Sequence, residues 1–445
     1  MLEYPIMIRS NTMTRRRLLG RAGAAVAGAV GFPYLVSSSA LGKNGAVAPS
    51  ERITIGCIGV GPQGRADMMG FLKRPGTQVV ALCDVKKSAL ATADGAREYI
   101  SKQKGCSMYS DFRELVARPD IDVVSIASTD NWHVLHALAA VRAGKDVYVE
   151  KPLGMSIEQG RTLRQEVHRY DRRFQFGTQQ RSSPQFVQAC ELAINGRLGK
   201  LHTIRVSAPA GFPEFPREPN YPISDPPADI DYEMWLGPAP WAPYTPKRVI
   251  NPHWFHIGDY AIGYIAGWGI HHIDIAQWGN GTELTGPVEV EGSGLFPTED
   301  ALCDTALNWD VDYLYANGVR MSFTSDGGKN KHGVRFEGSE GWVHVDRSTI
   351  DAEPKSLLKE KIGADEIHLP VSSHHQGNLL EVARTRGPTI CPIDVAVRSD
   401  AICHLGDIAM RLGRKLNWDP AKELFVNDDE ANTKLRRAMR SPWHL

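Results

Sequence analysis

The residues best placed to do chemistry in this 445-residue chain begin at Gly59-Val60-Gly61-Pro62-Gln63-Gly64. The spacing is GxGxxG. Gly59 permits a tight turn, Gly61 lets the backbone approach a pyrophosphate, and Gly64 lets a helix pack on a strand. The helix that follows would point free N–H groups at phosphates. Asp84 stands twenty residues after Gly64. A carboxylate there suits the two ribose hydroxyls of NAD and disfavours the extra phosphate of NADP, although Lys86 and Lys87 keep NADP open. A polar turn, Ser128-Thr129-Asp130-Asn131, and the tripeptide Glu150-Lys151-Pro152 form two further clusters. A third is rich in histidine: His253, His256, His271, His272 and Asp274. Such groups suit proton transfer near neutral pH, core packing or, as a minor alternative, a transition metal.

The elements that must position these residues alternate. A β-branched run at 52–60 precedes the glycine turn and a helix over 65–72 follows it. Strands are expected at 78–83, 122–127, 146–149 and 173–178, with a helix over 132–143 stopped by Gly144. Strands alternating with helices imply a parallel sheet, with ligands beyond its carboxyl ends, where Thr129, Asn131 and Lys151 fall. Residues 209–246 hold 11 of the 28 prolines and seven aromatics, Phe212, Phe215, Tyr221, Tyr232, Trp235, Trp241 and Tyr244. This predicts a long ordered loop. His271, Asp274 and Ile275 share one face of a helix running to Trp278. Alternating runs within 286–346, such as 334–336 and 342–345, fit an antiparallel sheet. Helices are expected at 374–387 and 399–413, and an extended charged tail at 420–445. The seven cysteines show no CxxC pair, so neither a disulfide framework nor a zinc ribbon is expected, and Cys57 and Cys83 read as core.

Lys+Arg and Asp+Glu both number 51, so the formal charge is zero. The zero conceals a split. Residues 1–40 carry five arginines and one acid, 5 − 1 = +4, leaving 46 − 50 = −4 for the remainder. That excludes a strongly basic nucleic-acid binder. Thr14-Arg15-Arg16-Arg17-Leu18-Leu19, an Ala/Gly/Val-rich stretch and Ser38-Ser39-Ala40 resemble a twin-arginine export signal, addressed to the bacterial periplasm. Cleavage is expected after Ala40, with a second site at Ala46-Val47-Ala48, and no permanent membrane span is expected once the signal is removed.

The glycine turn, Asp84, the turn and helix from Thr129 to His133, Ala143-Gly144-Lys145-Asp146-Val147 and Glu150-Lys151-Pro152 together resemble the Gfo/Idh/MocA oxidoreductase family over nearly all of 51–445. Asp231–Pro238 and Gly338–Val343 resemble its exported, twin-arginine branch. The resemblance implies an α/β protein in four parts. These are a signal peptide (1–40), a linker (41–50), an NAD(P)-binding Rossmann domain (51–178) and a C-terminal α/β domain on a large, mostly antiparallel open sheet (179–445). The resemblance implies that this domain binds substrate and that its sheet packs subunit on subunit. The implied activity is NAD(P)-dependent oxidation or reduction of a hydroxyl on a sugar, polyol or glycoside, with tightly retained cofactor and no metal.

The alternatives are an NAD-dependent glycoside hydrolase working by transient oxidation and elimination, and a non-catalytic dinucleotide- and sugar-binding protein. Implied catalytic residues are Lys151 and His271. Implied cofactor contacts are Gly59, Gly61, Gln63, Gly64, Asp84, Ser128, Thr129, Asn131, His133, Glu150 and Lys151. Implied substrate contacts are Lys151, Gln180, Arg181, Tyr260 and His271; Arg181 fits a structural ion pair equally well. One departure stands out: the family's Asp-x-Gly-x-His motif has Gly267 in its Asp position, with Asp259, Tyr260, His256 or Asp274 as candidate substitutes.

Overall fold

The apolar run at the start of the expected first domain becomes strand β1 (Ile53–Ile58), buried along nearly all its length. β2 (Thr77–Cys83), β3 (Ser107–Tyr109), β4 (Val123–Ile126), β5 (Asp146–Val149) and β6 (Phe174–Phe176) join it in one parallel sheet. Their order is 3-2-1-4-5-6, so the strand order reverses between β1 and β4, where doubly wound sheets bind dinucleotides. Both helices flanking this point begin earlier than their apolar pattern suggests. α1 spans Pro62–Leu72 and α2 spans Asp130–Arg142. Pro62 is tolerated at the first helical position because its missing N–H would have had no partner there.

The computed structural model describes residues 47–48, 51–91, 106–211, 222–299 and 301–445. The expected signal 1–40, most of the linker, and Phe212, Phe215 and Tyr221 lie outside them. Among the described residues no helix is long and apolar enough to cross a membrane.

The second sheet has nine strands in the order 13-12-11-7-10-9-8-14-15. They are β7 (Leu201–Ala208), β8 (Pro287–Leu295), β9 (Asn308–Tyr315), β10 (Arg320–Ser325), β11 (Gly333–Gly338), β12 (Trp342–Val345), β13 (Ile350–Glu353), β14 (Leu416–Asp419) and β15 (Leu424–Phe425). Only β7 and β10 pair in parallel; the other pairings are antiparallel, as expected.

Register explains why one face is buried. Val311, Phe323, Val206, Val334 and Val345 align across β9, β10, β7, β11 and β12, as do Tyr313, Met321, Ile204, Phe336 and Val343. All ten are buried. The period-two alternation places the row between them on the opposite face: Glu291, Asp312, Ser322, Arg205, Arg335, His344 and Asp351.

The buried face packs on helices. α3 (Ile270–Gly279) is buried throughout, and α5 (Ile393–Leu412) begins six residues before the expected start, straight after Pro392. Between them in sequence, α4 (His375–Thr385) packs on α1 of the first sheet. The C-terminal segment departs from an extended tail. It forms β15 and the short helix Asp429–Thr433, and then runs back to the first sheet's helices.

Candidate active site

The glycine turn is built for close approach. Gly59 sits at φ +79°, and a Cβ on it would lie 2.5 Å from the Ala127 carbonyl oxygen. A Cβ on Gly64 would lie 1.9 Å from the Gly59 oxygen, so Gly64 seats the helix on the turn and does not line the cleft. A Cβ on Gly61 would meet nothing within 4 Å, which leaves open space above the N-terminus of α1. Asp84 accepts from the N–H groups of Val60 and Lys86, both at 2.9 Å, and burial raises its pKa.

Gly59, Gly61, Gln63, Asp84, Ser128, Thr129, His133, Glu150 and Lys151 share a cavity of about 310 Å³. His133 ties the cavity wall together, its two ring nitrogens lying 2.7 Å from the Pro152 oxygen and 3.1 Å from the Ser128 oxygen.

The opposite wall comes from the proline-rich loop and its continuation, through Ile230, Met234, Trp235, Val249, Ile250, Trp254 and Phe255. Tyr232, Trp235 and Tyr244 form a separate core beneath this wall, while Trp241 is exposed. The segment is pinned on both rims of the cleft. On one, the Asp229 carboxylate accepts from Ser88 N–H (2.8 Å) and Oγ–H (2.5 Å), and Asp231 N–H donates to Val85 O (2.9 Å). On the other, Asn131 Nδ2 donates to Leu236 O (3.1 Å), and Trp132 Nε1 to Met234 O (2.9 Å).

Asn131 is therefore a clasp between domains and not a lining residue. The C-terminus adds a strap. Arg437 donates to Gly258 O, Arg440 donates to Gly237 O and Ala239 O (both 3.1 Å), and Trp443 packs edge-on against Trp132 at 4.7 Å.

At the chemical end, Glu150 is buried and accepts from Gln179 Nε2 (2.8 Å) and Tyr148 O–H (3.2 Å). Burial raises its pKa, and burial together with the Glu150 charge raises that of Asp67 behind it. Asp130, also buried and raised by burial, has an Oδ2 without a partner among the described residues. Lys151 reaches across to the second domain, where its Nζ donates to Gly267 O (3.1 Å) beside the Phe255 ring (5.9 Å). The position that lacks the family's carboxylate thus holds Lys151 by its backbone carbonyl.

His271 lies one helical turn on from Gly267. It is 3% exposed, and its Nδ1 has no hydrogen-bond partner among the described residues. Burial, then the charges of Lys151 and Arg347, hold its pKa well below 6.5, so the imidazole is neutral at pH 7.

Three expected substrate residues are otherwise engaged. Arg181, 2% exposed, forms a bidentate pair with Asp274 (2.7 and 2.9 Å) and a bond to Glu283 (2.8 Å). Its structural reading is the correct one, because a carboxylate on the adjacent helix face takes up the guanidinium. Tyr260 is fully buried, with its hydroxyl 3.3 Å from Arg248 and its ring 4.7 Å from Trp235, and it does not reach the cavity. Gln180 is buried; oriented to satisfy both amide atoms, it donates to His271 O (2.8 Å) and accepts from Arg347 Nε (3.1 Å).

His272 Nδ1 donates to Ser207 O (2.7 Å), and His272 is a core residue. Of the suggested substitutes for the missing carboxylate, Asp274 is taken by Arg181. Among the described residues no group of three or more His, Cys, Asp or Glu forms a metal site. Sequence reasoning missed Arg347, whose only local signal is a charged residue in a strand turn, and Asp67, which reads as one polar position in an ordinary helix.

The model of an oxidoreductase family with an NAD-binding Rossmann fold matches residues 53–178, and that of its C-terminal alpha/beta domain matches 188–445. The chain belongs to the Gfo/Idh/MocA oxidoreductase family. Its cofactor is NAD, which the open space above Gly61, the buried Asp84 carboxylate and the shape of the cleft fit. Bound NAD would be held by the α1 N-terminus, Asp84 and the Ser128–Thr129 turn.

Curated relatives include an alpha-N-acetylgalactosaminidase of Shewanella oneidensis, 34% identical over 162 residues, 33% of this chain and 35% of that protein. A glycosyl hydrolase family 109 protein of Saccharopolyspora erythraea is 33% identical over 169 residues, 34% of this chain and 36% of that protein. The similarity thus spans about a third of these relatives' length. Among solved structures, aldose-aldose oxidoreductase from Caulobacter crescentus aligns with TM-score 0.62 at 18% identity, covering 82% of this chain and 99% of that one. The WlbA dehydrogenase from Bordetella pertussis aligns with TM-score 0.61 at 16% identity, covering 83% and 99%. At these identities the alignments show the shared fold.

Proposed function

We propose that this member of the family oxidises or reduces a hydroxyl of a sugar, polyol or glycoside, with Lys151 and His271 as its catalytic residues. The carrying observation is convergence. A lysine at the carboxyl end of β5 is hydrogen-bonded to the residue one turn before a neutral, buried histidine with an unpartnered Nδ1. Bound NAD supplies the hydride acceptor.

One of the three N–H donors of Lys151 is held by Gly267 O, leaving two for a substrate oxygen. That cation stabilises negative charge growing on the oxygen as its proton leaves, an interaction stronger in the transition state than in the ground state. His271 Nδ1 takes the proton, and a neutral imidazole is the form that can do so.

The test is to purify the mature protein, record its bound nicotinamide, and add a sugar panel while following absorbance of the reduced cofactor. Reduction in wild type, and its loss in a cofactor-loaded Lys151→Ala protein, supports the reading. Absence of reduction across the panel refutes it.

The clasped cleft supports retention of the cofactor between turnovers, which suits an exported enzyme. Export by the twin-arginine route to the periplasm rests on Arg15-Arg16-Arg17 and the stretch after them, and detection of the mature N-terminus in a periplasmic fraction tests it. Homo-oligomerisation through the open sheet face is supported by its charge pattern. The face carries charges of both signs, partly paired within the chain, as Glu289 is with Lys415, Asp310 with Lys329, and Arg205 and Arg335 with Glu337. Light scattering at low and high salt tests that.

A second reading is favoured by the curated relatives, which are named as glycosidases. Transient oxidation of a ring carbon would acidify the adjacent C–H, allowing the glycosidic bond to leave by elimination. Release of sugar from an aryl glycoside without net NADH change separates this from the first reading.

A further inference from the structure

We propose that Arg347 is a substrate carboxylate clamp, so that the preferred substrates are sugar acids, uronates or aldonates, with the reacting hydroxyl and the carboxylate in one molecule. This rests on the reading of Lys151 and His271 given above and adds the substrate class to it.

Arg347 lies in the turn between β12 and β13. The turn holds its own shape, because the Asp346 carboxylate accepts from Ser348 N–H (2.7 Å) and Thr349 N–H (2.8 Å), and so Asp346 is not given to Arg347. The Arg347 backbone is fixed by Gln185 Nε2, which donates to its carbonyl at 3.2 Å. Its guanidinium lies over the Trp268 ring at 4.9 Å, and its Nε donates to the Gln180 amide oxygen at 3.1 Å. The same Gln180 amide donates to His271 O at 2.8 Å, and Trp268 stands 5.8 Å from the His271 ring.

The guanidinium is thus oriented by one ring and one amide that both also touch His271. Its two terminal nitrogens have no partner among the described residues, and no carboxylate pairs with it there. The acid whose charge reaches it is Glu150, buried at the cleft floor beside Lys151.

Two cations therefore flank one neutral histidine, and the nearby carboxyls Glu150 and Asp130 are themselves pushed toward their neutral forms by burial. A pre-oriented arginine fork with its terminal nitrogens free matches a carboxylate in two parallel hydrogen bonds. Arg347 is exposed, so water solvates the fork until a substrate carboxylate displaces it. A neutral sugar would leave the fork to water and forgo the two parallel hydrogen bonds.

The experiment pairs acids with neutral analogues on the cofactor-loaded protein: glucuronate with glucose, galacturonate with galactose, and gluconate with sorbitol. Nicotinamide reduction is followed in wild type, Arg347→Ala and Arg347→Lys. Wild type is expected to favour an acid over its neutral partner by about 10-fold or more in kcat/KM. Arg347→Ala should raise KM for the acid about 10- to 100-fold more than it changes KM for the neutral sugar, and Arg347→Lys should restore part of the loss.

Equal use of acid and neutral sugar by wild type, or an equal effect of Arg347→Ala on both, overturns the proposal while leaving the oxidoreductase reading standing. Where no sugar is reduced, that reading falls, and calorimetric titration of the loaded protein with the same acids decides the clamp independently. Binding weakened at least 10-fold in Arg347→Ala supports it. Equal binding, or binding by neither protein, overturns it.

Discussion

Replacing Asn131 with alanine opens the cofactor cleft at one rim. Asn131 Nδ2 donates to Leu236 O at 3.1 Å, and both residues are buried. This bond exists only while the loop lies across the cleft. The variant removes one of two donors to the Leu236 carbonyl, which keeps Ala239 N–H at 3.1 Å, and this costs about 0.5–1.5 kcal/mol in the closed state. The open state, where water can reach the carbonyl, is spared that cost, so the opening equilibrium shifts by about 2- to 13-fold.

If the cofactor leaves only when the loop lifts, its release rate rises by the same factor. The assay loads the protein with NADH, mixes it with excess NAD and follows the decay of bound NADH fluorescence. Circular dichroism confirms that the variant is folded. A folded variant that releases NADH at the wild-type rate would refute the clasp. Trp443→Ala, which removes the edge-on contact with Trp132 at 4.7 Å, should speed release by a smaller factor through the C-terminal strap.

Arg181→Ala should cost about 3–5 kcal/mol of stability in urea unfolding, because it strands the Asp274 carboxylate in the core. At temperatures where the variant stays folded its KM should be near wild type, whereas a substrate contact would raise KM. With a pKa held well below 6.5, His271 is already deprotonated at neutral pH, so the acid limb of kcat/KM for oxidation should lie well below pH 6.5; a limb centred near 6.5 would contradict its burial.

Buried His133 and His375 are held at about 4, and His136 and His272 at about 3. Their folded values are depressed, so stability is full above the unfolded value near 6.5. Each loses about 1.4 kcal/mol per pH unit below it, down to its folded value. The raised carboxyls Asp67, Asp130 and Glu150 act in the opposite sense, gaining from protonation as pH falls. Denaturant midpoints measured from pH 8 to 4 should fall below 6.5, and a flat profile would contradict the histidine burial.

What was legible in the sequence was local. The glycine turn, Asp84 and Glu150-Lys151-Pro152 act within a strand and the turn after it, and the structure brings them to one cavity. The alternation along β11 and β12 was likewise readable, because a period of two needs no partner to be seen. What failed needed the second domain. Asn131, Gln180, Arg181 and Tyr260 are polar residues beside a junction, and a polar residue there looks the same whether it meets a ligand, a loop or an ion-pair partner.

Arg347 was invisible for the same reason. It reaches the site only through the register of β11 and β12 and the stacking of its side chain on Trp268. Gly267 showed its departure in the sequence, but its consequence, a backbone carbonyl holding Lys151, required the fold.

The central claim is that Lys151 and His271 act together on a hydroxyl presented to bound NAD. Its most direct test is single-turnover reduction of the retained cofactor by a substrate sugar, in wild type, Lys151→Ala and His271→Ala proteins each shown to hold the same amount of NAD. The account predicts a fall of at least about 100-fold in the reduction rate for each variant, with the double variant little worse than either alone. Reduction at wild-type rate in either cofactor-loaded variant would contradict it.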